Sequence, residues 1–555
     1  MVRPLRLFVR FHIVSKLKNR LLQNRISPNA FLITMNKFCA ISFLSAIVAM
    51  LTACSGGKGA AGLKAYNIGE YDRAQKYLEK AVSTEKQRFA KGQYAFYLAE
   101  CYRRKCYFKK AASNYKLAIR NKYTDDTALL HMGDCLRAAG DFEKANEAYA
   151  LYLQKHTGDL LAQTAVRSSK LAEGQWNALQ AYDYKNAPDS GYVIHLAKPF
   201  NSKYSDYCAA YVGDDYDVVY FTSMRLPKKR KKVNRVTGQG NSSIYMSRID
   251  GRGDWTDPEA LPDPFSTQID EGTPSLTSDG KTMFFTRCPY DATQMNTAQC
   301  FEISRKGGRW GDPVRVIPGG DSTIMVAHPA ISPDGNTLYF VSDCDGGIGG
   351  KDIYLTNRNV DGSWGPPQNL GGLINTKGDE MFPYVRDNGV LYFSSNGHVG
   401  YGGLDIYKAT ITETGRYEVT NLGTPINSGG DDFGIVFKGN HEAGLLSSNR
   451  KGNKGIDKLY TFELPEIVLQ AEGRVVDSSG SIPEKAFVRV VGSDGTNNKI
   501  RVSDDGNFYI HLDKDTEYIL LCGARGCINK KLTISTFGRG KSETLKLDVA
   551  LERVP

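Results

Sequence analysis

Cysteines and repeated aspartates are the residues of this sequence whose spacing could support chemistry. None of the eleven cysteines lies in a Cys-x-x-Cys pair or in a His/Cys cluster with zinc spacing. Asp352, Asp405 and Asp457 each follow a glycine-containing turn, which is a setting that also suits calcium ligands. Because the three recur at one position of a repeat, we interpret them as caps of a turn or strand. We therefore predict no metal site and no cofactor.

Catalytic signatures are missing from the sequence. It has no Gly-x-Ser-x-Gly nucleophile turn, no His-Glu-x-x-His and no phosphate-binding Gly-x-x-x-x-Gly-Lys-Ser/Thr, and its eight histidines are scattered. A general acid and base brought together only by folding is an alternative, but no spacing indicates such a pair. We predict that the protein is not an enzyme and has no catalytic residues.

Residues 35–53 have the pattern of a bacterial signal peptide. A short basic start at Met35 precedes 13 mostly apolar residues, 38–50, which are too few to cross a bilayer as a mature helix. The next four residues, Leu-Thr-Ala-Cys, resemble a lipobox, which implies that Cys54 carries a lipid. We assign residues 54–62 to a lipidated tether. The alternative is a signal peptide that merely contains a cysteine.

The basic character of the chain is concentrated before Cys54. Residues 1–34 contain seven lysines and arginines and no acid, and Lys37 adds one more basic residue. The net charge of the whole chain is +11, so the part from Cys54 onward carries only +3. This excess is too small for a nucleic-acid-binding face. A transit peptide would share the composition of residues 1–34. Because Met35 starts a complete signal by itself, we expect residues 1–34 to be an over-extended start; the true start codon stays open.

A helical repeat follows the tether. Gly-x-Tyr/Phe-x-x-Ala-type segments and their downstream aromatics are typical of the second helices of tetratricopeptide repeats, and Ala111 and Ala145 are 34 residues apart. Cys101 and Cys135 share this spacing, so we interpret them as packing residues rather than a redox pair. We predict a tetratricopeptide-like array over 63–184, capped by a last helix at about 159–183. The repeated segments are 69–74, 107–111 and 140–145.

A second repeat of about 54 residues is all-β. The units share an Asp-Gly or Asn-Gly hairpin turn between alternating apolar runs. Gly-Gly-x-Asp-Ile-Tyr follows the turn at 349–354 and 402–407, and Trp-x-x-Pro recurs at Trp255, Trp310 and Trp364. Four strands per unit in radial repetition predict a WD-repeat-like β-propeller over 190–464, with five recognisable blades and a sixth left open. We expect the strand at 192–198 to complete the last blade. The hairpin segments are 274–286, 329–342 and 383–395.

The last 89 residues, 467–555, predict a small β-sandwich. Short alternating runs end at turns such as Asp505-Gly506. This segment resembles the carboxypeptidase regulatory-like domain, which implies a transthyretin-like sandwich. The predicted fold class is therefore multidomain, α and then all-β.

The order of lipobox, tetratricopeptide array, propeller and sandwich resembles the PorE-like outer-membrane lipoproteins of the type IX secretion system in the Bacteroidota. The resemblance implies an outer-membrane protein that is lipid-anchored, faces the periplasm and takes part in protein transport. Family members usually continue into an OmpA-like domain that binds peptidoglycan. Motifs of that domain are not found before Pro555, so we do not expect direct binding to peptidoglycan. A truncated reading frame and a natural short paralogue are both open.

Two functions follow from this organisation. The first is a scaffold that binds other envelope or secretion-system proteins; the second is a periplasmic module that binds a small molecule or glycan in the propeller channel. Partner identity, binding face and oligomeric state stay open. Tyrosines of the helical array are candidate partner contacts, and we expect only a minority to matter. They are Tyr66, Tyr94, Tyr97 and Tyr115.

Disulfides are expected because a lipoprotein outside the cytoplasm occupies an oxidising compartment. Nine cysteines remain after Cys39 and Cys54, so at least one should be free or pair with another chain. Alignment of the repeats places Cys288 at the exit of one strand and Cys300 at the entry of the next, which predicts a disulfide between them. Cys522 and Cys527 form a second candidate pair around a tighter turn.

Overall fold

A computed structural model of the chain describes residues 57–174, 191–226, 233–265, 267, 269–289, 298–450, 455–540 and 542–554. The predicted start, signal peptide and lipid attachment at Cys54 lie outside these residues. Two compact units are formed. The described part of the first is 57–135 with Val233–Gly238, and the second comprises the other described residues from Leu136 onward.

Helices occupy the N-terminal part of the described chain, as the repeat predicts. In the first unit, α1 contacts α2 and α3, and α3 contacts α4. The helices are α1 Lys58–Asn67, α2 Tyr71–Thr84, α3 Arg88–Arg104, α4 Phe108–Arg120, α5 Thr127–Ala138, α6 Phe142–Leu153 and α7 Leu160–Gly174. The repeated alanines Ala74, Ala111 and Ala145 are fully buried, because only a small side chain allows close helix packing at these positions. No helix of the described part is both long and apolar enough to span a membrane.

The predicted tether at 54–62 is wrong in its extent. Helix α1 begins at Lys58, and its glycines are packing residues rather than flexible ones. A Cβ at Gly59 would lie 2.2 Å from the Tyr94 ring, and a Cβ at Gly62 would lie 2.7 Å from Leu78. A run of glycine and alanine therefore forms a close helix contact here, although its composition alone indicates a linker.

The predicted end of the helical domain at residue 184 lies outside the described residues, but the described helices divide between the two units. Helices α6 and α7 belong to the second unit, where Phe142 and Ala172 pack against Tyr401. The Ser168 hydroxyl accepts a hydrogen bond from the Gly400 amide at 3.2 Å. The buried face of α7 is made of alanine and serine, so it lies flat on a loop of the sheets. The predicted continuation of the last helix to residue 183 lies outside the described residues.

Five antiparallel sheets follow in chain order in the described part of the chain. The first strand of each sheet contacts the first strand of the next, and the first strand of the fifth sheet contacts that of the first, so the cycle is closed. This is a β-propeller arrangement. The first two sheets contain β2 Asp206–Tyr211, β3 Val218–Ser223, β4 Ser243–Arg248 and β5 Glu259–Ala260, then β6 Asp270–Leu276, β7 Thr282–Cys288, β8 Gln299–Lys306, β9 Arg309–Trp310 and β10 Val314–Arg315.

The remaining sheets repeat the same order, and the last is completed by a strand from before the first. Strand β1 pairs antiparallel with β21, so the prediction that this segment completes the last unit is confirmed. The strands are β11 Ala327–Ile331, β12 Thr337–Ser342, β13 Asp352–Asn357 and β14 Gln368–Asn369; β15 Glu380–Val385, β16 Leu391–Ser395, β17 Asp405–Ile411 and β18 Tyr417–Asn421; and β19 Asp432–Phe437, β20 Ala443–Ser448, β21 Lys458–Glu463 and β1 Val193–Leu196.

The hairpin turns of the ring lie where the Asp-Gly and Asn-Gly pairs predict them. Gly280, Gly335 and Gly389 have φ of +62°, +74° and +78°, a region that glycine enters without a steric penalty. Neighbouring sheets bury apolar residues against each other; Ile244 of one sheet, for example, packs in one cluster with Phe285 of the next. Burial of these faces holds the sheets in place around the centre.

The C-terminal segment forms two facing sheets around one apolar core. One sheet has the order β25-β22-β28 with β29 beside β22, and the other has the order β24-β23-β26-β27. The strands are β22 Leu469–Asp477, β23 Phe487–Gly492, β24 Asn497–Arg501, β25 Asn507–Leu512, β26 Glu517–Gly523, β27 Lys530–Ser535, β28 Glu543–Lys546 and β29 Val549–Leu551. The alternating burial of β25 and β26 matches the period of two that the sequence shows.

Candidate functional site

The repeated aspartates cap turns. Asp352 accepts hydrogen bonds from the amides of Ile348 at 2.5 Å and Gly349 at 3.1 Å, and Asp405 accepts equivalent bonds from Tyr401 and Gly402. Both carboxylates are buried at the first residue of the third strand of a sheet. Within the described ranges, no three His, Cys, Asp or Glu side chains are grouped as metal ligands. The hydrogen bonds of Asp352 and Asp405 therefore agree with the interpretation of these residues as turn caps.

The two glycines before each capping aspartate are required by the next sheet. A Cβ at Gly349 would lie 2.1 Å from the carbonyl oxygen of Thr376, and one at Gly402 would lie 2.0 Å from that of Gly430. Neighbouring backbone occupies the space that a side chain would need. The Gly-Gly-x-Asp motif thus joins adjacent sheets and does not bind a ligand itself.

The predicted disulfides are not formed. Cys288, Cys300, Cys522 and Cys527 are free thiols. The strand register places Cys300 directly opposite Thr286, two residues from Cys288, and turns it into an apolar core. Cys522 is likewise buried in the sandwich core, which Cys527 only borders. Burial raises the pKa of Cys288 and of Cys522 to about 11, so the thiolate needed for exchange is disfavoured.

The four candidate tyrosines have different surroundings. Tyr115 is fully buried and its hydroxyl is hydrogen-bonded to Glu100, so its assignment as a partner contact is wrong. The structure brings Tyr66 and Tyr97 together in an edge-to-face contact with ring centroids 4.8 Å apart. Tyr94 stands over Gly59. Tyr66, Tyr94 and Tyr97 are half-buried and belong to the first helices of their pairs.

A buried carboxylate that sequence reasoning missed orders this surface. Glu100 of α3 accepts hydrogen bonds from Tyr66, Tyr115 and Arg103, also contacts Arg104, and lies 2.8 Å from Nδ1 of His131. Burial raises the pKa of Glu100, but the hydrogen bond to His131 and the charge of Arg103 outweigh burial and hold it well below its usual range. The sequence gives one signal of this role: Glu100 is an acid in the otherwise apolar repeat segment Leu98–Cys101.

A cavity of about 140 Å³ occupies the centre of the ring of sheets. Each of the five first strands contains a β-bulge, and at each bulge one residue has a left-handed backbone with φ between +46° and +58°. Bulges at the rims of closed sheets re-aim side chains and are common beside binding sites. The bulge residues are Cys208, Thr273, His328, Phe382 and Gly434, and all five line the cavity.

One side of the bulge ring, which we call the neck, is aromatic. The imidazole of His328 stacks on Phe382 with centroids 3.9 Å apart and planes 11° apart, and Phe382 lies 4.6 Å from Phe433. Nδ1 of His328 is buried without a hydrogen-bond partner. Burial, and secondarily the charge of Lys351, lowers the pKa of His328 to about 3, so this imidazole is neutral at pH 7.

The opposite end of the cavity, which we call the mouth, is lined by tyrosines and carboxylates. Tyr211 and Tyr216 meet edge to face at 5.5 Å, with Tyr384 and the exposed Asp214 and Asp387 beside them in the lining. Burial raises the pKa of Tyr384 to about 12, and the charge of Asp387 contributes in the same direction. The lining contains neither lysine nor arginine.

Buried ion pairs hold the starts of three first strands. Asp206 pairs with Arg225 at 2.8 Å, Glu271 with Arg287, and Asp432 with Arg450 at 2.7 Å. Sequence reasoning missed these pairs, although an acid at the start of the first strand and a Ser-x-Arg at the end of the second recur in two of the sheets. Each of these buried carboxylates is paired with an arginine inside its sheet, so we assign the pairs a structural role.

Glu380 occupies the equivalent position in the fourth sheet without a cation. Gly397 stands two residues after Ser395, at the place where the first and last sheets carry Arg225 and Arg450. Glu380 accepts hydrogen bonds from the amide and hydroxyl of Thr376 and from the hydroxyl of Ser395. It is fully buried. Burial raises the pKa of Glu380 to about 6, against the lowering effect of these hydrogen bonds.

We expect Glu380→Gln to stabilise the second unit at pH 7.5 by about 2 kcal/mol, because a rise of about 1.5 in pKa corresponds to that penalty on the charged form. The Thr376 hydroxyl accepts from the Gly378 amide and can turn to accept from the glutamine side-chain amide as well. The folded state of the wild type keeps its proton above the unfolded pKa, so this penalty develops as pH rises from 4.5 to about 6 and is nearly absent below pH 4.5. Thermal unfolding of both proteins between pH 4.5 and 7.5 measures the difference.

The exposed Asp343→Asn provides the control, since its side chain is in solvent and should change stability little at either pH. A Glu380→Gln variant that is equally or less stable than the wild type at pH 7.5 would contradict the uncompensated charge.

Comparisons with known proteins give distant likenesses only. No family model matches the sequence, and no curated protein matches it. Similar solved structures include a puromycin hydrolase (TM-score 0.27, 11% identity, 61% of this chain and 53% of that chain). An N-acetylgalactosamine deacetylase from F. plautii is also similar (0.31, 12%, 47% and 91%). A third is the β-propeller domain of the Trilobed protease from Pyrococcus furiosus (0.21, 13%, 39% and 51%). The chain spans about half of that hydrolase, and none of these likenesses assigns an activity to it.

Proposed function

We propose that this protein is a non-catalytic envelope lipoprotein that binds other proteins as a scaffold. In this proposal the helices are a tetratricopeptide array, the five sheets are the complete set of propeller blades, and the C-terminal sheets are a transthyretin-like regulatory domain. The protein is anchored in the outer membrane, faces the periplasm and is a component of, or accessory to, the type IX secretion system, as its resemblance to PorE-like lipoproteins implies.

The observation that carries the scaffold function is the ordered aromatic surface of the first unit. Tyr66 and Tyr97 are half-exposed, in mutual contact, and the guanidinium of Arg104 lies 5.5 Å from the Tyr66 ring centroid. Tyrosine and arginine are the side chains on which protein interfaces concentrate their binding energy. The buried carboxylate of Glu100 holds Tyr66 and Arg104 in place, so little conformational entropy is lost when a partner binds.

The test is co-purification of detergent-extracted full-length protein. Tyr97→Ala should weaken partner binding by about 2 kcal/mol or more, or roughly thirtyfold. Tyr509→Ala, at an exposed tyrosine of the sandwich, is the matched control and should leave binding unchanged. Retention of every partner by a variant with Tyr66, Tyr94 and Tyr97 all replaced by alanine, together with a carboxylate required for turnover, would overturn the scaffold proposal.

The anchoring part of the proposal has its own test. Cys54→Ala should release the protein from the membrane fraction while leaving its folded units intact, because the lipid would be attached outside them. One acyl chain anchors marginally and several anchor stably, so loss of all lipid should abolish retention. Fractionation with circular dichroism on the released protein measures both effects. A variant that stayed wholly in the outer membrane would contradict lipid attachment at Cys54.

A second function, binding of a small molecule in the central cavity, is favoured by one specific observation. The five bulges line one cavity, and the buried Nδ1 of His328 among them has no partner. Strained backbone and unsatisfied buried polar atoms cost stability and are retained mostly at functional sites.

A further inference from the structure

The lining of the central cavity follows the first strands of the sheets. On strand β11 it runs from His328 at the neck to Pro333 beyond the strand end, a length of roughly 16 Å at about 3.3 Å per residue. A cavity of about 140 Å³ has room for a short aliphatic chain. Alanine, isoleucine and valine line the middle section, among them Ala330, Ile331 and Val436.

The charge of the mouth selects a cation. Asp214 and Asp387 line it together with Tyr211, Tyr216 and Tyr384, whose ring faces attract positive charge. Two basic residues stand close by: Arg386 is paired with Glu442 at 2.7 Å, and Nζ of Lys438 lies 6.0 Å from the Tyr211 centroid. One lysine against two exposed carboxylates leaves the mouth negative.

The neck offers a hydrogen-bond acceptor. The amide of His328 donates to the Thr286 hydroxyl, but its imidazole Nδ1 is buried and unpartnered. A neutral imidazole has one nitrogen able to accept a hydrogen bond. A ligand that reaches the neck therefore gains by ending in a donor, because the buried nitrogen is otherwise left unsatisfied.

We propose that the channel binds a linear aliphatic amine whose inner end carries a neutral hydrogen-bond donor, as in an amino alcohol. The ammonium group lies at the mouth between Asp214 and Asp387 against the tyrosine rings, the methylene chain follows the apolar middle section, and the inner hydroxyl donates to His328. The mouth is the favourable place for the charge because it is near solvent, where desolvation costs least. This inference rests on the second proposed function, small-molecule binding in the cavity, and names its ligand class.

Calorimetric titration of the full chain at low salt tests the proposal with three matched probes. 8-Amino-1-octanol should bind saturably at one site, octylamine should bind roughly tenfold more weakly because it lacks the inner donor, and 1,8-octanediol should not bind because it lacks the ammonium group. Failure of the amino alcohol to bind, or equal binding of the diol, would overturn the proposal.

Variants separate the two ends of the site. Asp214→Asn combined with Asp387→Asn should weaken both amines by about tenfold. His328→Phe keeps the ring stack on Phe382 and should lower the affinity for the amino alcohol to that for octylamine, without changing octylamine binding. A purely structural role of His328 would weaken both equally, and that result would overturn the assignment. His328→Asn, which tolerates the left-handed backbone, replaces His328→Phe if the latter does not fold.

Asp345→Asn, at an exposed aspartate outside the lining, is the control for general charge effects and should change neither affinity. 1,8-Octanediol separates failure of the ligand class from failure of the cavity function. Diol binding without amine binding would overturn the amine proposal alone. Absence of binding by all three probes would overturn small-molecule binding as well.

Discussion

Replacing Glu100 by alanine is expected to lower the free energy of unfolding of the helical unit by about 3 to 5 kcal/mol. The substitution leaves Arg103 and Arg104 without their carboxylate and removes the acceptor of the buried Tyr115 hydroxyl. Removing one partner of a buried charge network is strongly destabilising, because the remaining charges stay desolvated without compensation. Hydrogen exchange of helix α3 in the full chain measures the loss locally.

The pH dependence gives this expectation a second, independent readout. The pKa of Glu100 is depressed in the folded state, so its contribution is present above the ordinary value of 4.5 and is lost as pH falls below it. The wild-type helical unit should therefore lose stability on acidification, and Glu100→Ala should lose less. Lys116→Ala, at an exposed position of α4 in the same unit, is the matched control and should change stability by no more than about 0.5 kcal/mol. Equal stability of Glu100→Ala and the wild type would show that the network is not structural.

The correctly predicted parts of the fold are those that depend on short local sequence patterns. Asp-Gly and Asn-Gly turns have few backbone alternatives, so the hairpins at Gly280, Gly335 and Gly389 follow from two residues each. The pairing of β1 with β21 could also be predicted from the sequence, because a lone strand before a repeat can complete a sheet that lacks one strand. The capping role of Asp352 and Asp405 followed from their recurrence.

The parts that could not be predicted depend on which neighbour a residue meets. Gly59 in a glycine-rich run contacts Tyr94 instead of giving flexibility, and Tyr115 is turned inward by Glu100. The β-bulges shift the register within each first strand, and a shift of one residue reverses every side chain beyond it. No sequence spacing indicates such a shift, so the cavity and His328 were found only in the structure.

The second large effect is expected at the buried pair of the last sheet. Arg450→Ala should destabilise the second unit by about 3 to 5 kcal/mol. Its guanidinium donates to the fully buried Asp432 at 2.7 Å and to the carbonyl oxygens of Pro425 and Ile426, and it also lies over the Tyr460 ring at 4.8 Å. Alanine removes all of these contacts and leaves the carboxylate with the Ser428 amide and hydroxyl alone.

The same substitution at Arg252, which is 82% exposed and pairs with Asp250, is the control and should cost less than about 1 kcal/mol. Glu380 shows within the same ring what an acid at this position does without its arginine, since burial raises its pKa to about 6. Arg450→Ala likewise leaves a buried carboxylate without its cation, so the variant should lose more stability at pH 7.5 than at pH 5. Thermal unfolding at both pH values measures this difference. A loss in Arg450→Ala no larger than that in Arg252→Ala would mean that the arginine is dispensable, and that the fourth sheet, which lacks it, is the ordinary case.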